Sequence, residues 1–159
     1  MTPEAAPVAV VKRTIRVDVP IDVAFRVFTE KMGSWWPASH HIGIKPFAEI
    51  IVEPHAGGRW FERDSTGTEC DWGRVLVWQP PERVVVSWHL QPDWKFSPDP
   101  SRASEVALEF HAESPEVTRL EFEHRHLERH GEDWENLRKG VDSPGGWTLV
   151  LEQYIAATK

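Results

Sequence analysis

The sequence predicts an α+β fold: a curved antiparallel sheet wrapped around a long C-terminal helix, with short helices after the first strand. Three observations predict it. The chain ends in a run, 143–159, where Trp147, Val150, Leu151, Tyr154 and Ile155 form one continuous apolar stripe at helical spacing. Between residues 49 and 125, short apolar stretches are separated by turn signals, as in an antiparallel meander. Ahead of that meander, one alternating stretch is followed by a helical one. The order is therefore one strand, one or two helices, about six strands and a terminal helix.

Residues 8–18 alternate, with Val11, Arg13, Ile15 and Val17 set against Lys12, Thr14, Arg16 and Asp18, the period of a half-buried strand. Pro20 suits a helix opening, and Ile21, Ala24, Phe25 and Phe28 keep helical spacing to about Met32-Gly33. The stretch 34–43 is too aromatic for a solvated linker and too irregular for an element. It predicts a short helical turn plus a loop that covers one end of the core. Strands follow at 50–53, 59–64, 70–78 and 83–90, with turns at 55–58, 65–68 and 79–82. In the last of these turns Pro80 and Pro81 preset the bend. Residues 91–102 hold three prolines and two aspartates and form a long surface loop. Strands 104–112 and 117–126 pair around 113–116. Val106, Leu108, Phe110, Leu120 and Phe122 face inward, while Glu105, Glu109, Arg119, Glu121 and Glu123 face water. Residues 132–139 read as a short helix. In the final helix Ser143 is the candidate cap and Pro144 fits the first helical position. Burying its five apolar side chains would contribute about 1.5–3 kcal/mol each.

At 159 residues the chain is expected to form one domain, spanning 8–159, with 1–7 as a flexible arm. No apolar run approaches the ~18 residues of a membrane span. The start, Met-Thr-Pro-Glu-Ala-Ala-Pro, lacks the basic and apolar regions of a signal peptide. A lone cysteine, Cys70, excludes an intramolecular disulfide and agrees with a cytoplasmic location. Net charge of −7 argues against nucleic acid and anionic membranes as partners. Nine tryptophans beside one tyrosine is the unusual feature of the composition.

Several local motifs occur in a telling order: Trp35-Trp36-Pro37, Gly57-Gly58-Arg59-Trp60, Gly67 before Trp72-Gly73-Arg74-Val75, Pro80-Pro81-Glu82-Arg83-Val84, Ser87-Trp88 and Gly146-Trp147. Together, from about Val11 to the chain end, they resemble the START-like (SRPBCC) superfamily. Within it they resemble the branch of activator of heat-shock-protein-90 ATPase homologues, of the C-terminal-domain type. The resemblance implies a helix-grip architecture with a deep hydrophobic cavity, Trp35 and Trp36 at its entrance and Trp147 on the gripped helix. It implies no single activity, since members include lipid carriers, hormone receptors, polyketide aromatase/cyclases and self-sacrificing resistance proteins. The separate N-terminal domain of the eukaryotic co-chaperone has no counterpart in this sequence, so a chaperone partner is not expected.

The candidate ligand-binding residues are Trp35, Trp36, His40, His41, Trp88, Phe110, Phe122, Trp147, Leu151 and Tyr154. Aromatic walls suit flat apolar or aromatic ligands, because a ring offers both a face and an edge. His40 or His41 is expected to supply a polar tip at the mouth, and the other histidines are expected at the surface. A single cysteine and the absence of HExxH or CxxC spacing point away from a metal, and no cofactor is expected. There is no G-x-S-x-G elbow, and Glu69 and Asp71 oppose a thiolate at Cys70. Arg59, Glu62, Glu69, Asp71 and Arg74 are expected on a solvated, salt-bridged face, unless one or two turn inward for acid–base work. The leading expectation is a small-molecule binding protein holding a hydrophobic or aromatic ligand. A cyclase-, dehydratase- or hydrolase-like enzyme and a chaperone-accessory module are the alternatives. Oligomeric state is left open, a homodimer included.

Overall fold

In the computed structural model, residues 9–159 are described; the arm expected over 1–7 lies outside the described residues. Seven strands form the sheet: β1 (Val11–Val17), β2 (Phe47–Val52), β3 (Arg59–Asp64), β4 (Glu69–Gln79), β5 (Arg83–Trp88), β6 (Ser104–Ser114) and β7 (Val117–Arg125). Their order is β1-β7-β6-β5-β4-β3-β2, with every pairing antiparallel. Consecutive strands are neighbours from β2 to β7, and β1 closes on β7, so short turns suffice for the meander. Bulges interrupt the ladders at Phe47/Glu49, Trp60/Phe61, Val75/Val77 and Ala112/Ser114. Each bulge bends its strand and raises the local twist. That curvature folds the sheet into a half-barrel.

Among the described residues there are four α-helices: α1 (Ile21–Thr29), α2 (Met32–Trp35), α3 (Trp134–Asp142) and α4 (Leu149–Ala157). α1 lies against β6 and β7, α2 against β2, and α4 against α1, α2 and β1. The inward residues of β6 and β7 fall as the alternation predicts: Val106, Leu108, Phe110, Leu120 and Phe122 are all buried. They meet Phe25 and Phe28 of α1, whose rings stand edge-on to Phe110 at 5.3 and 6.3 Å. The Tyr154 hydroxyl donates to the Ala24 carbonyl at 2.8 Å, tying α4 to α1. Burial pushes that phenol above its ordinary range.

The C-terminal run is not one helix. Gly146 has φ −90° and ψ −127°, outside helical values, and breaks the segment between α3 and α4. A Cβ at Gly146 would stand 2.2 Å from the Val141 carbonyl oxygen, so the chain passes α3 too closely for a side chain. Ser143 does not cap through its side chain; its hydroxyl instead donates to the Gly140 carbonyl at 2.6 Å, closing the end of α3. Val150, Leu151 and Tyr154 are nonetheless the buried face of α4, and Trp147 is buried ahead of it. Gly73 marks a second close approach: a Cβ there would fall 1.6 Å from the Ser87 carbonyl oxygen on β5. Among the described residues, no helix is long and apolar enough to cross a membrane.

Candidate functional site

Between the concave face of the sheet and the start of α4 lies a cavity of about 270 Å³. Trp36 and the loop after α2 form one side, Trp72 and Trp88 on β4 and β5 the floor, and Trp147 and Val150 the helix side. Trp94, from the 91–102 loop, stands at the rim with 47% of its surface exposed. These rings pack into one another. Trp36 lies 5.2 Å from Trp72 and 5.9 Å from Trp147, and Trp88 lies 5.5 Å from Trp147. Of the sequence-predicted residues, Trp36, His40, His41, Trp88 and Trp147 are brought together on this wall. Trp35, Phe110, Phe122, Leu151 and Tyr154 do not line it. They fill the adjoining core, where Phe28 stands 4.9 Å from Tyr154 and 5.1 Å from Trp35. Sequence reasoning missed Trp72 and Trp94.

Two histidines sit at the mouth, and their partners decide their tautomers. His40 faces the Gly145 carbonyl through Nε2 at 2.7 Å and the Ser39 hydroxyl through Nδ1 at 3.0 Å. A carbonyl only accepts, so Nε2 carries the proton and neutral Nδ1 accepts from Ser39. His40 thereby latches the mouth loop to the turn before α4. His41 faces the Gly43 carbonyl through Nδ1 at 2.8 Å, so that nitrogen donates. Its Nε2 makes no hydrogen bond among the described residues and keeps its lone pair in the neutral form.

Beneath the mouth lies Glu62, only 2% exposed and without an ion-pair partner among the described residues. One carboxylate oxygen accepts the Ile42 backbone N–H at 2.6 Å and the Trp72 indole N–H at 2.9 Å. A single buried acceptor thus holds both the mouth loop and one wall. Glu62 leaves the outer cluster in which the sequence reading grouped it. The other members stay outside: Arg59 pairs with Asp71 at 2.7 Å and Glu69 at 3.1 Å, and its guanidinium lies 3.9 Å over the Phe61 ring. Hydrogen bonding to Asp71 holds the Arg59 pKa up, and Arg63 and Arg59 hold Glu69 below the usual carboxylate range. Burial, with Glu62, Asp64 and Asp71 nearby, pushes the Cys70 thiol up, away from a reactive thiolate.

Three histidines expected at the surface are buried: His89, His124 and His130 are 4%, 0% and 1% exposed. This corrects the sequence expectation. His124 continues the inward parity of Leu120 and Phe122 along β7, a signal that was present in the alternation. The Trp147 indole N–H donates to His124 Nδ1 at 3.0 Å, which forces the His124 proton onto Nε2. That Nε2–H donates to Ser104 Oγ at 2.7 Å, and the Ser104 hydroxyl donates to His130 Nε2 at 2.7 Å. His130 Nδ1–H then donates to Gln91 Oε1 at 3.1 Å, and the Gln91 amide N–H groups donate to the His89 and Arg102 carbonyls. Every donor points away from the cavity, and both imidazoles are neutral. Burial lowers the His124 pKa to about 3, assisted by His130. Burial, with Arg102 and His89 nearby, lowers that of His130 to about 4.

On the opposite face of the sheet a second hollow of about 390 Å³ lies under the 91–102 loop. Its rim carries Arg74, Glu105 and Arg129, with Arg129 paired to Glu105 at 3.5 Å. It lacks the aromatic enclosure of the inner cavity. Among the described residues no group of three histidine, cysteine, aspartate or glutamate side chains is placed to hold a metal ion.

Residues 18–157 match the family described as activator of Hsp90 ATPase homolog 1-like protein. The chain belongs to that family. It is START-like, and the curled sheet with its C-terminal helix is the helix-grip fold that the sequence motifs implied. The family is one of ligand-binding proteins. Among curated proteins, none matches the chain. Among solved structures it is similar to the anthrahydroquino-gamma-pyrone synthase Txn09, at 37% identity and a TM-score of 0.67, over 98% of this chain and 99% of that one. It also has the fold of the self-sacrificing resistance protein CalC from Micromonospora echinospora, at 24% identity and a TM-score of 0.63, over 94% of this chain and 93% of that one. DynU16, a protein of the dynemicin biosynthetic locus, shares the fold at 17% identity and a TM-score of 0.58. That match covers 94% of this chain and 47% of DynU16.

Proposed function

We propose that the protein binds a flat, fused-ring aromatic molecule in the cavity between sheet and α4. The observation that carries this reading is the wall of Trp36, Trp72, Trp88 and Trp147 around about 270 Å³ of space. Drug-sized sites run from roughly 300 Å³ upward, so a volume at the small end suits a compact ring system better than a long acyl chain. Stacked and edge-on contacts with indole rings favour planar π-systems. The similarity to a synthase whose name specifies an anthrahydroquino-gamma-pyrone supports the same ligand class. Titration with planar polycyclic phenols and quinones is expected to quench intrinsic fluorescence. At 100 times Kd, a ligand should add about 2.7 kcal/mol of stability, raising Tm by roughly 5–10 °C for a chain of this size. A panel that moves neither signal overturns the reading.

A second reading is favoured by the uncommitted Nε2 of His41 on the cavity wall. As a general base, it would take the proton of a ligand hydroxyl while the oxygen attacks an electrophilic carbon of the same molecule. The imidazolium would then return the proton to the oxygen that becomes negative on that carbon. Such transfer is worth about 10²–10⁴ in rate. With a phenolic ring-closure precursor as substrate, His41→Gln is expected to lose that factor in kcat while precursor binding changes less than tenfold. Equal kcat in wild type and variant would remove His41 from the chemistry.

A further inference from the structure

A tryptophan has one N–H and no acceptor, so once that N–H is used the ring offers only apolar contacts. All four inner wall indoles have used theirs within the protein. Trp36 donates to the His40 carbonyl at 3.0 Å, Trp72 to Glu62 at 2.9 Å, Trp88 to the Leu90 carbonyl at 2.9 Å and Trp147 to His124 at 3.0 Å. None of these acceptors can readily turn away. Glu62 is buried, two are backbone carbonyls, and His124 is held by the one-way chain through Ser104 and His130. The inner indole walls therefore offer an occupant no free N–H donor.

The mouth is different. His41 keeps a lone pair on Nε2, and Trp94 has an indole N–H without a hydrogen bond among the described residues. Trp94 also holds φ at 63°, a left-handed value unfavourable for a bulky side chain. The surrounding loop imposes it through a turn in which the Trp94 backbone N–H donates to the Gln91 carbonyl at 2.7 Å. Backbone strain of this kind concentrates where a side chain must be presented to a ligand.

We infer that the ligand sits with a bare hydrocarbon edge innermost and a single oxygenated edge at the mouth, its hydroxyl donating to His41 Nε2. This rests on the cavity being a ring-system site, and it narrows the ligand class to fused aromatics whose innermost ring carries no oxygen. A hydroxyl carried inward would lose water and find no partner, a loss on the order of tenfold to a hundredfold in affinity.

Three matched probes test this on the full chain by fluorescence titration: naphthalene, 2-naphthol and 2,6-dihydroxynaphthalene. The expected order has 2-naphthol tightest and the diol at least about tenfold weaker, because one of its hydroxyls must enter the dry end. His41→Phe is expected to erase the advantage of 2-naphthol over naphthalene, read as the ratio of the two affinities within each protein. If the diol binds as tightly as 2-naphthol, or His41→Phe preserves the preference for the hydroxyl, the one-edge orientation is wrong while the ring-system site stands. If none of the three binds, both fail together.

Discussion

Thermal stability is expected to fall steeply as pH drops from about 6.5 to about 4, well before most carboxylates are protonated. The cause is the buried histidines. His124 has its pKa lowered to about 3 and His130 to about 4, while unfolded histidine titrates near 6.5. Within that window the unfolded chain takes up protons that the folded chain refuses, so acid favours unfolding and stability rises with pH. The contribution is fully present above about 6.5 and declines as pH falls toward the folded values. Each histidine costs about 1.4 kcal/mol per pH unit across the window. Set against total stabilities of about 5–15 kcal/mol, two such groups remove a large share of the folding free energy. His89, lowered by burial, acts in the same direction. The groups facing these rings reinforce the sign: Arg102 and His89 face His130, and His130 faces His124. Melting curves between pH 4 and 7.5 check this. A Tm that stays level from 6.5 to 4.5 would refute the neutral-histidine chain, and His124→Asn should flatten the slope.

Replacing Glu62 with alanine is expected to cost roughly 2–5 kcal/mol, since the buried Trp72 N–H and the part-buried Ile42 N–H lose their acceptor, at about 1–3 kcal/mol for a fully buried donor and less for the other. On a chain of this size that lowers Tm by roughly 5–20 °C. Ligand affinity should fall as well, because Ile42 belongs to the mouth and Trp72 to the wall, and both lose the same anchor. Glu62→Gln keeps an oxygen acceptor and should recover most of both losses. A Glu62→Ala protein melting within about 2 °C of wild type would show that the carboxylate holds neither element.

The parts legible in the sequence were those governed by short-range periodicity. Strand β3 is legible because Gly58 and Ser65 bracket it, and the observed Arg59–Asp64 has the predicted ends. The faces of β6 and β7 follow from unbroken alternation, which extended one step further would have placed His124 inside. The faces of β3 and β4 were not legible, because the bulge at Trp60/Phe61 breaks the period of two and buries residues of both parities. For that reason Glu62 was not told apart from the rest of its charged cluster, and Trp72 was missed. Phe110, Phe122 and Tyr154 do point inward as their spacing predicts. Whether an inward residue meets space or another ring depends on partners distant in sequence: here Phe28 packs on Phe110 and Tyr154, Trp35 on Tyr154, and Trp147 on Phe122. The helical stripe correctly located α4, but spacing alone does not reveal that Gly146 lies against the Val141 carbonyl and ends helical geometry there.

The ring contacts around the cavity also have a photophysical consequence. Trp35, Trp36, Trp60, Trp72, Trp88, Trp94 and Trp147 are linked by centroid separations between 5.2 and 6.3 Å. At such spacing, excitation absorbed by any member migrates among all of them before emission. The cluster therefore behaves as one antenna, and a single electron-accepting guest such as a quinone would darken every chromophore in it.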